Sequence, residues 1–403
     1  MTTHRLRLLL VVAAVLAVVA TLLPSPAAAI PVFARKYGFQ CTMCHSNMPR
    51  LNDFGLRYRL NGYRLPGRES EEKTVLESPA PVAFRTSAGY VGVDRNEAAG
   101  NYCESDFRVE GLDILSAGLL GRKIGYMLIY TPQIDAVRGA APQDGALEMA
   151  NVVFGGLAGS NASLRVGRFE PAFLAASVKR RLTVSPYEIY EYAFPDGPAF
   201  SETRSGLEVA GWRNRLHYAG GVVTGSETNR SYDTPSDLYG RVDYVIGPGE
   251  GQTAGHRIGA VGYYGRARPS PALGGTATAL EGFSRAGIDA SLNAMHVNLV
   301  LAYLWAFDGQ TLWTAGDGVD YSGGFAEVSA MPRVDAVCFG RIDYVNAPSV
   351  ADNDITRYTA GARYYPIDNL AMHLEYSYWS ECEVVANEDA TEHYVTARLD
   401  FAF

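Results

Sequence analysis

Charge is scarce in this chain of 403 residues: only 19% are Asp, Glu, Lys or Arg, against 47% hydrophobic, with 42 glycines. That balance excludes disorder, coiled coil and collagen. Long apolar runs are scarcer still. A helical span needs about 20 consecutive apolar residues, and only Leu8 to Leu23 comes close, so a polytopic helical membrane protein is excluded. The run lies behind Arg5 and Arg7 and ends in Pro24-Ser25-Pro26-Ala27-Ala28-Ala29. A basic start, an apolar core and small residues at the end read as a secretory signal peptide over residues 1–29, cleaved after Ala29. An uncleaved anchor is the competing reading. No Cys follows that site, so a lipoprotein is not indicated. Cysteine is also sparse, with Cys103, Cys338 and Cys382 standing singly among a total of five. No phosphate loop or paired acid and base is visible, and scattered Ser, His and Asp on strands argue only weakly for a hydrolase.

What charge there is divides unevenly. Losing Arg5 and Arg7 with the signal takes the net charge from −8 to −10. Between Ile30 and Arg68 stand seven basic residues (Arg35, Lys36, Arg50, Arg57, Arg59, Arg64, Arg68) and one acid, Asp53, a balance of +6 that leaves −16 for the rest. This predicts two units, a segment over 30–68 joined by a linker over 69–80 to a large acidic unit over 81–403. An acidic large unit speaks against nucleic-acid binding.

The basic unit contains Cys41-Thr42-Met43-Cys44-His45. Two thiols three residues apart can add across the two vinyl groups of one haem, and the adjacent His is placed to ligate its iron. Three competitors exist: a disulfide between the two cysteines, a redox pair, and half of a zinc site. Zinc lacks a second cysteine pair, and no βαβ pattern surrounds the motif as a thioredoxin-like site requires. The spacing therefore predicts one covalent haem c on Cys41 and Cys44, with His45 as proximal ligand. The sixth ligand stays open; Met48 reaches the opposite face only if the chain turns sharply at Pro49.

The motif's surroundings, from Pro31-Val32-Phe33-Ala34-Arg35-Lys36-Tyr37-Gly38 through Pro49-Arg50-Leu51-Asn52-Asp53-Phe54-Gly55 to Asn61-Gly62-Tyr63, resemble the N-terminal segment of the outer-membrane monohaem cytochrome–porin fusions. That family includes the iron-oxidising outer-membrane cytochromes. The resemblance implies one c-type haem joined to a β-barrel, with electrons passed across the outer membrane. It covers about 35 residues and identifies the module better than its electron donor.

Beyond the linker, period-two patterning dominates. Val395, Ala397, Leu399, Phe401 and Phe403 share one face of the last segment, with Thr396, Arg398, Asp400 and Ala402 on the other. Arg241 and Asp243 alternate with Val242, Tyr244 and Ile246, and Arg341 and Asp343 with Ile342 and Tyr344. An apolar row toward lipid and a polar row toward a lumen predict an antiparallel transmembrane β-barrel. The final Phe403 resembles the assembly signal of such proteins. The pattern gives sixteen strands, starting near Val82, Ser105, Lys123, Leu147, Ala162, Ser205, Arg215, Ser236, Gly255, Gly282, His296, Tyr321, Ala336, Thr356, Leu370 and Thr391. Tight turns alternate with longer links, as short periplasmic turns and outer loops do. The longest link, Pro171 to Arg204, is expected to fold inward. Tyr263, Tyr264, Tyr364, Tyr365, Tyr376 and Tyr378 are expected in aromatic girdles.

Strand polarity places His217, His296 and His373 in the lumen near the tight turns, which makes each a distal-ligand candidate if the haem segment folds back into that mouth. Asp94, Glu97, Glu104 and Asp106 with Glu381, Glu383, Glu388, Asp389 and Glu392 are expected to share an outer rim that attracts divalent cations. Solvated loop acids are the bland alternative. Cys103 and Cys382 are expected to form a disulfide, and Cys338 to face lipid unpaired. The reading is an outer-membrane electron conduit with extracellular Fe(II), or another redox donor or acceptor, a periplasmic c-type cytochrome and membrane lipid as partners. Its rivals are a substrate-selective or passive porin with a structural or regulatory haem segment, and a periplasmic sensor or binding protein.

Overall fold

The computed structural model describes residues 32–39, 43–45, 50–77, 82–98, 100–132, 146–193, 200, 203–225, 237–247, 255–267, 281–309, 318–347, 353–367, 369–383 and 388–402. The expected signal peptide, Cys41, Met48 and Phe403 lie outside them.

Sixteen strands close into one antiparallel barrel in which each pairs with its sequence neighbours and β1 (Val82–Glu97) meets β16 (Glu388–Ala402). Closure runs from Arg85 opposite Ala402 to Asn96 opposite Thr391. A closed ladder leaves no free strand edge around the barrel wall, although the outer part of β2 (Gly100–Gly121), before Ile114, projects past its neighbour β3 (Ile124–Thr131). The alternation read from the sequence is realised on β8 (Asp237–Ile246): Asp237, Tyr239, Arg241, Asp243 and Val245 are buried in the lumen, and Leu238, Val242, Tyr244 and Ile246 are exposed. Phe107, Ile288, Trp305 and Leu374 extend the same exposed apolar belt on other strands. Such an exterior is unsuited to water and suited to a bilayer.

Fifteen of the sixteen expected strand starts fall within three residues of those observed. The first hairpin is the exception. Asp94 to Glu104 is not a loop, because β1 continues to Glu97 and β2 (Gly100–Gly121) begins at Gly100, directly opposite it. The hairpin stands beyond the apolar belt, where both faces are solvated and polar residues no longer signal a turn. The girdle reading needs a similar correction. Tyr264, Tyr364 and Tyr376 are exposed, but Tyr263 is buried, its hydroxyl donating to Asp237 at 2.6 Å, and Tyr365 packs inward against the cluster of Leu182, Met331, Val337 and Phe339. Adjacent tyrosines on a strand necessarily point to opposite faces.

The long connection after β5 (Ala162–Phe169) does fold inward. Its short helix Glu188–Glu191 lies against β12 (Val319–Arg333) and β13 (Ala336–Ala347). Phe173, Tyr187, Ile189, Tyr190 and Phe200 build the main apolar core inside the barrel, with wall residues Tyr263, Phe283, Tyr321 and Phe325.

Candidate functional site

Two short helices precede the wall: α1 (Val32–Tyr37) and α2 (Asp53–Leu60). Asn52 caps α2 by accepting from Gly55 N at 2.8 Å, while its own backbone N–H donates to Cys44 O at 2.9 Å and its side-chain amide to Met43 O at 3.0 Å. One residue thus ties the helix start to the CxxCH turn. The approach is so close that a Cβ on Gly55 would lie 2.2 Å from Cys44 O, which accounts for glycine there. His45 Nδ1 donates to the backbone carbonyl of Arg50 at 3.2 Å. That bond selects the tautomer in which Nδ1 carries the proton and Nε2 the lone pair. Phe33 lies 5.1 Å from Tyr58 and 5.4 Å from Tyr63, and Tyr37 is 6.0 Å from Tyr58, an aromatic wall beside the motif. Burial pushes the Tyr37 and Tyr58 hydroxyls above their usual range, so both stay neutral.

This segment is seated inside the barrel. Arg50 is buried and donates to Asn298 Oδ1 at 2.9 Å, to the Tyr187 hydroxyl at 3.3 Å, and to Glu327, with which it forms an ion pair. Asp53 Oδ1 lies 3.2 Å from His217 Nε2, and His217 Nδ1 lies 3.0 Å from Asp243. Burial pushes the Asp53 carboxyl up, but the hydrogen bond to His217 and the charge of Arg57 outweigh it and hold the group below its ordinary value. Leu56 and Leu60 pack on Ala210, Trp212 and Ala219, and Tyr58 and Tyr63 on Val153 and Met127. At Gly125 of β3 (Ile124–Thr131) a Cβ would meet Gly62 O at 2.1 Å, so the wall also has a glycine where the segment presses on it. The expected linker begins later than 69: Asn61 donates to Glu69 at 2.9 Å, and Glu72 accepts from Lys36 at 2.6 Å and from Tyr37 and Leu65 N, making both glutamates part of the segment.

The distal-ligand candidates are placed as follows. His217 is buried with both ring nitrogens beside carboxylates. His373 is buried too, accepting from Arg363 Nε at 2.7 Å and lying 3.1 Å from Glu375. His296 is exposed in the turn before β11 (Val297–Asp308), not in the lumen, because the strand begins one residue later than expected. Met48 lies outside the described residues. The lumen histidine nearest the segment therefore meets the carboxylate of Asp53.

At the far rim, closure does bring the two acidic groups together, with Arg95 between Glu97 at 2.9 Å and Glu392 at 3.7 Å. Among the described residues no group of three or more His, Cys, Asp or Glu is arranged to hold a metal. The expected disulfide does not form: Cys103 on β2 is a free thiol, and β1 and β16 separate it from Cys382 on β15 (Leu370–Glu383). Two intervening strands put the cysteines well beyond bridging distance. Cys338 is exposed on the outer face, unpaired as expected.

A cavity of about 130 Å³ remains between segment, inward loop and wall; its lining is largely apolar, with Phe173 and Leu174 among it, but carries the charged groups of Arg50, Arg59, Glu170 and Arg180. Sequence reasoning missed it, and missed Arg50 and Asp53 as anchors, since their partners lie 248 and 277 residues away for Arg50.

The architecture defines a class, the porin-type transmembrane barrel. An anion-selective porin from Comamonas acidovorans shares the fold at a TM-score of 0.56 and 13% identity, over 80% of this chain and 99% of that one. OprB of Pseudomonas putida gives 0.55 at 9% identity, over 84% and 97%, and the Salmonella typhi OmpF complex with daunomycin 0.53 at 11%, over 79% and 97%. No protein-family profile and no curated protein matches the chain. Barrel and apolar exterior together make this a porin-like protein of the bacterial outer membrane.

Proposed function

We propose that the chain is an outer-membrane electron-transfer protein carrying one covalent haem c on Cys41 and Cys44, with His45 as proximal ligand. The observation that carries this reading is that the CxxCH segment is built into the lumen, locked to the wall through Arg50 and Asp53. The donor set fits the group, because a thiol pair and an imidazole with its tautomer fixed by Arg50 O are what attachment and ligation require. When bound, haem supplies a one-electron couple.

The protein's own residues do the rest. Asn52 and Gly55 hold the attachment turn on α2, and the Phe33, Tyr58 and Tyr63 rings exclude water beside it. The acidic outer rim concentrates cations, and extracellular Fe(II) is the donor we propose, each ion losing one electron to become Fe(III). The electron leaves to a periplasmic c-type cytochrome, reduced by one electron in turn. A second reading, a substrate-selective or passive porin with a structural haem segment, is favoured by the fold likeness to porins along nearly their whole length. Against an open pore stand the segment and the inward loop, both occupying the lumen.

The purified full chain decides between them. The electron-transfer reading expects haem staining, reduction by Fe(II), reoxidation by a periplasmic cytochrome and low conductance in planar bilayers. A wide, steady conductance with no Fe(II)-dependent change in the haem spectrum sinks it in favour of the porin.

A further inference from the structure

The cavity between segment and loop has unmatched charge. Most of its cations are paired: Arg50 with Glu327, Arg241 with Asp289 at 2.5 Å, Arg257 with Asp243 at 3.9 Å, and Arg180 with Glu170 at 2.7 Å. Glu170 is also taken by the Ser177 hydroxyl at 2.6 Å and by Lys179 N at 3.4 Å. Arg165, near by, pairs with Glu208 at 2.8 Å. Arg59, from the last turn of α2, is the exception: among the described residues it has no ion pair and no side-chain hydrogen bond, and it lines this cavity. Burial first, then the charges of Arg180 and Arg165, pull its guanidinium down to about 10, and the same surplus of cations helps to hold Glu170 down to about 2. A buried cation facing other cations is costly unless an anion joins it.

We propose that Arg59, with Arg180 beside it, holds a carboxylate or other oxyanion in this cavity. The space admits a group of that size, since about 130 Å³ holds several waters. Two arginine forks suit a planar or tetrahedral oxyanion better than a halide. The oxyanion comes either from a haem propionate, a source that rests on the function proposed above, or from free anions entering the lumen.

Phosphate is the probe, exchanged for chloride at constant ionic strength, and the melting midpoint of the full chain in detergent is the readout. It is applied to the haem-loaded chain and to the haemless C41S/C44S variant. A rise in both forms assigns the site to a free anion; a rise in the haemless form alone assigns it to a propionate. In either case Arg59→Gln raises the phosphate needed at least tenfold, and Arg59→Lys keeps most of the response. Should the cysteine variant not fold, the haem-loaded chain still carries the test. Removing the Arg59 charge beside a propionate lowers the haem midpoint potential, because the cation favours the reduced, less positive state. No phosphate response in either form, or an Arg59→Gln chain that responds as the parent does, overturns the proposal; so does an unchanged potential joined to no phosphate response. If the purified chain bears no haem, the functional reading fails alone, and the parent chain takes the place of the haemless form.

Discussion

The lumen is filled from two sides, by the N-terminal segment from the tight-turn end and by residues 170–193 of the inward connection from the other, and the two are held by a different balance of chemistry. The connection is secured mainly by apolar burial, although Glu188 also pairs with Arg357 of the wall at 2.8 Å. Phe173, Tyr187, Ile189 and Tyr190 join the largest core of the molecule, and Glu375 and Arg341 fasten the backbone around Ser185 with buried hydrogen bonds. The segment has smaller apolar contacts and depends on two charged links, Arg50 to Glu327 and Asp53 to His217. Burial of apolar surface does not titrate, whereas a charged link can be undone at one atom. The contrast assigns the connection to the permanent architecture of the barrel and the segment to a separately docked insert.

The largest effect expected of a single change is at Arg50. Replacing it with Ala leaves Glu327 fully buried in the lumen, with the Tyr187 hydroxyl at 3.1 Å and Arg341 at 3.8 Å as its remaining partners. Breaking one side of a buried pair costs about 3–5 kcal/mol, and the residual partners put this case at the lower end. The segment should leave the lumen while the connection stays. Limited proteolysis within residues 50–65, with the barrel core intact on heat-modifiable gels, checks this; an Arg50→Ala segment as protected as the parent's shows the contrast to be wrong.

A smaller effect is expected where the connection is fastened. Glu375 accepts from Val184 N and Ser185 N, both at 2.7 Å, and from the Ser185 hydroxyl at 2.6 Å. Glu375→Gln keeps the shape but loses charge and acceptor capacity, a change of about 1–3 kcal/mol. Because the aromatic core persists, the connection should loosen at Ser185 without leaving the lumen. Hydrogen exchange should quicken at Val184 and Ser185 and remain slow at Tyr190. Loss of protection along the whole connection would mean that hydrogen bonds rather than the core hold it.

Much of this frame was legible in the sequence, and the limits have a physical cause. Strand polarity repeats every two residues, so Arg241 and Asp243 could be assigned to the lumen and Val242 and Tyr244 to lipid from their order alone. The same rule, applied strictly, also shows that Tyr263 and Tyr264 cannot both stand in a girdle. The CxxCH spacing is a local signal as well. Docking is not local. Nothing near Arg50 specifies Glu327, and nothing near Arg59 tells that its neighbours in space are Arg180 and Arg165, because these relations exist only once the barrel has closed.

The smallest of the expected effects separates the two insertions by pH. Asp53 is held below its ordinary value in the docked segment, despite burial, by His217 and Arg57. A carboxyl depressed in the docked state stabilises docking above its free value of about 3.9, and that contribution disappears as pH falls through the lower, docked value. Acid should therefore loosen the segment and leave the apolar anchorage of Tyr187 and Ile189 unaffected. The contribution is modest, since the pair is largely buried yet shared with Asp243. The protection of α2 against hydrogen exchange, taken relative to the intrinsic amide rate at each pH, should fall in the parent chain between pH 5 and about pH 3, and Asp53→Asn should start from weaker protection and show a flatter pH profile. If the Asn variant keeps the parent's acid response, the titrating group lies elsewhere, and the segment is held less by its charges than the Arg50 and Asp53 contacts imply.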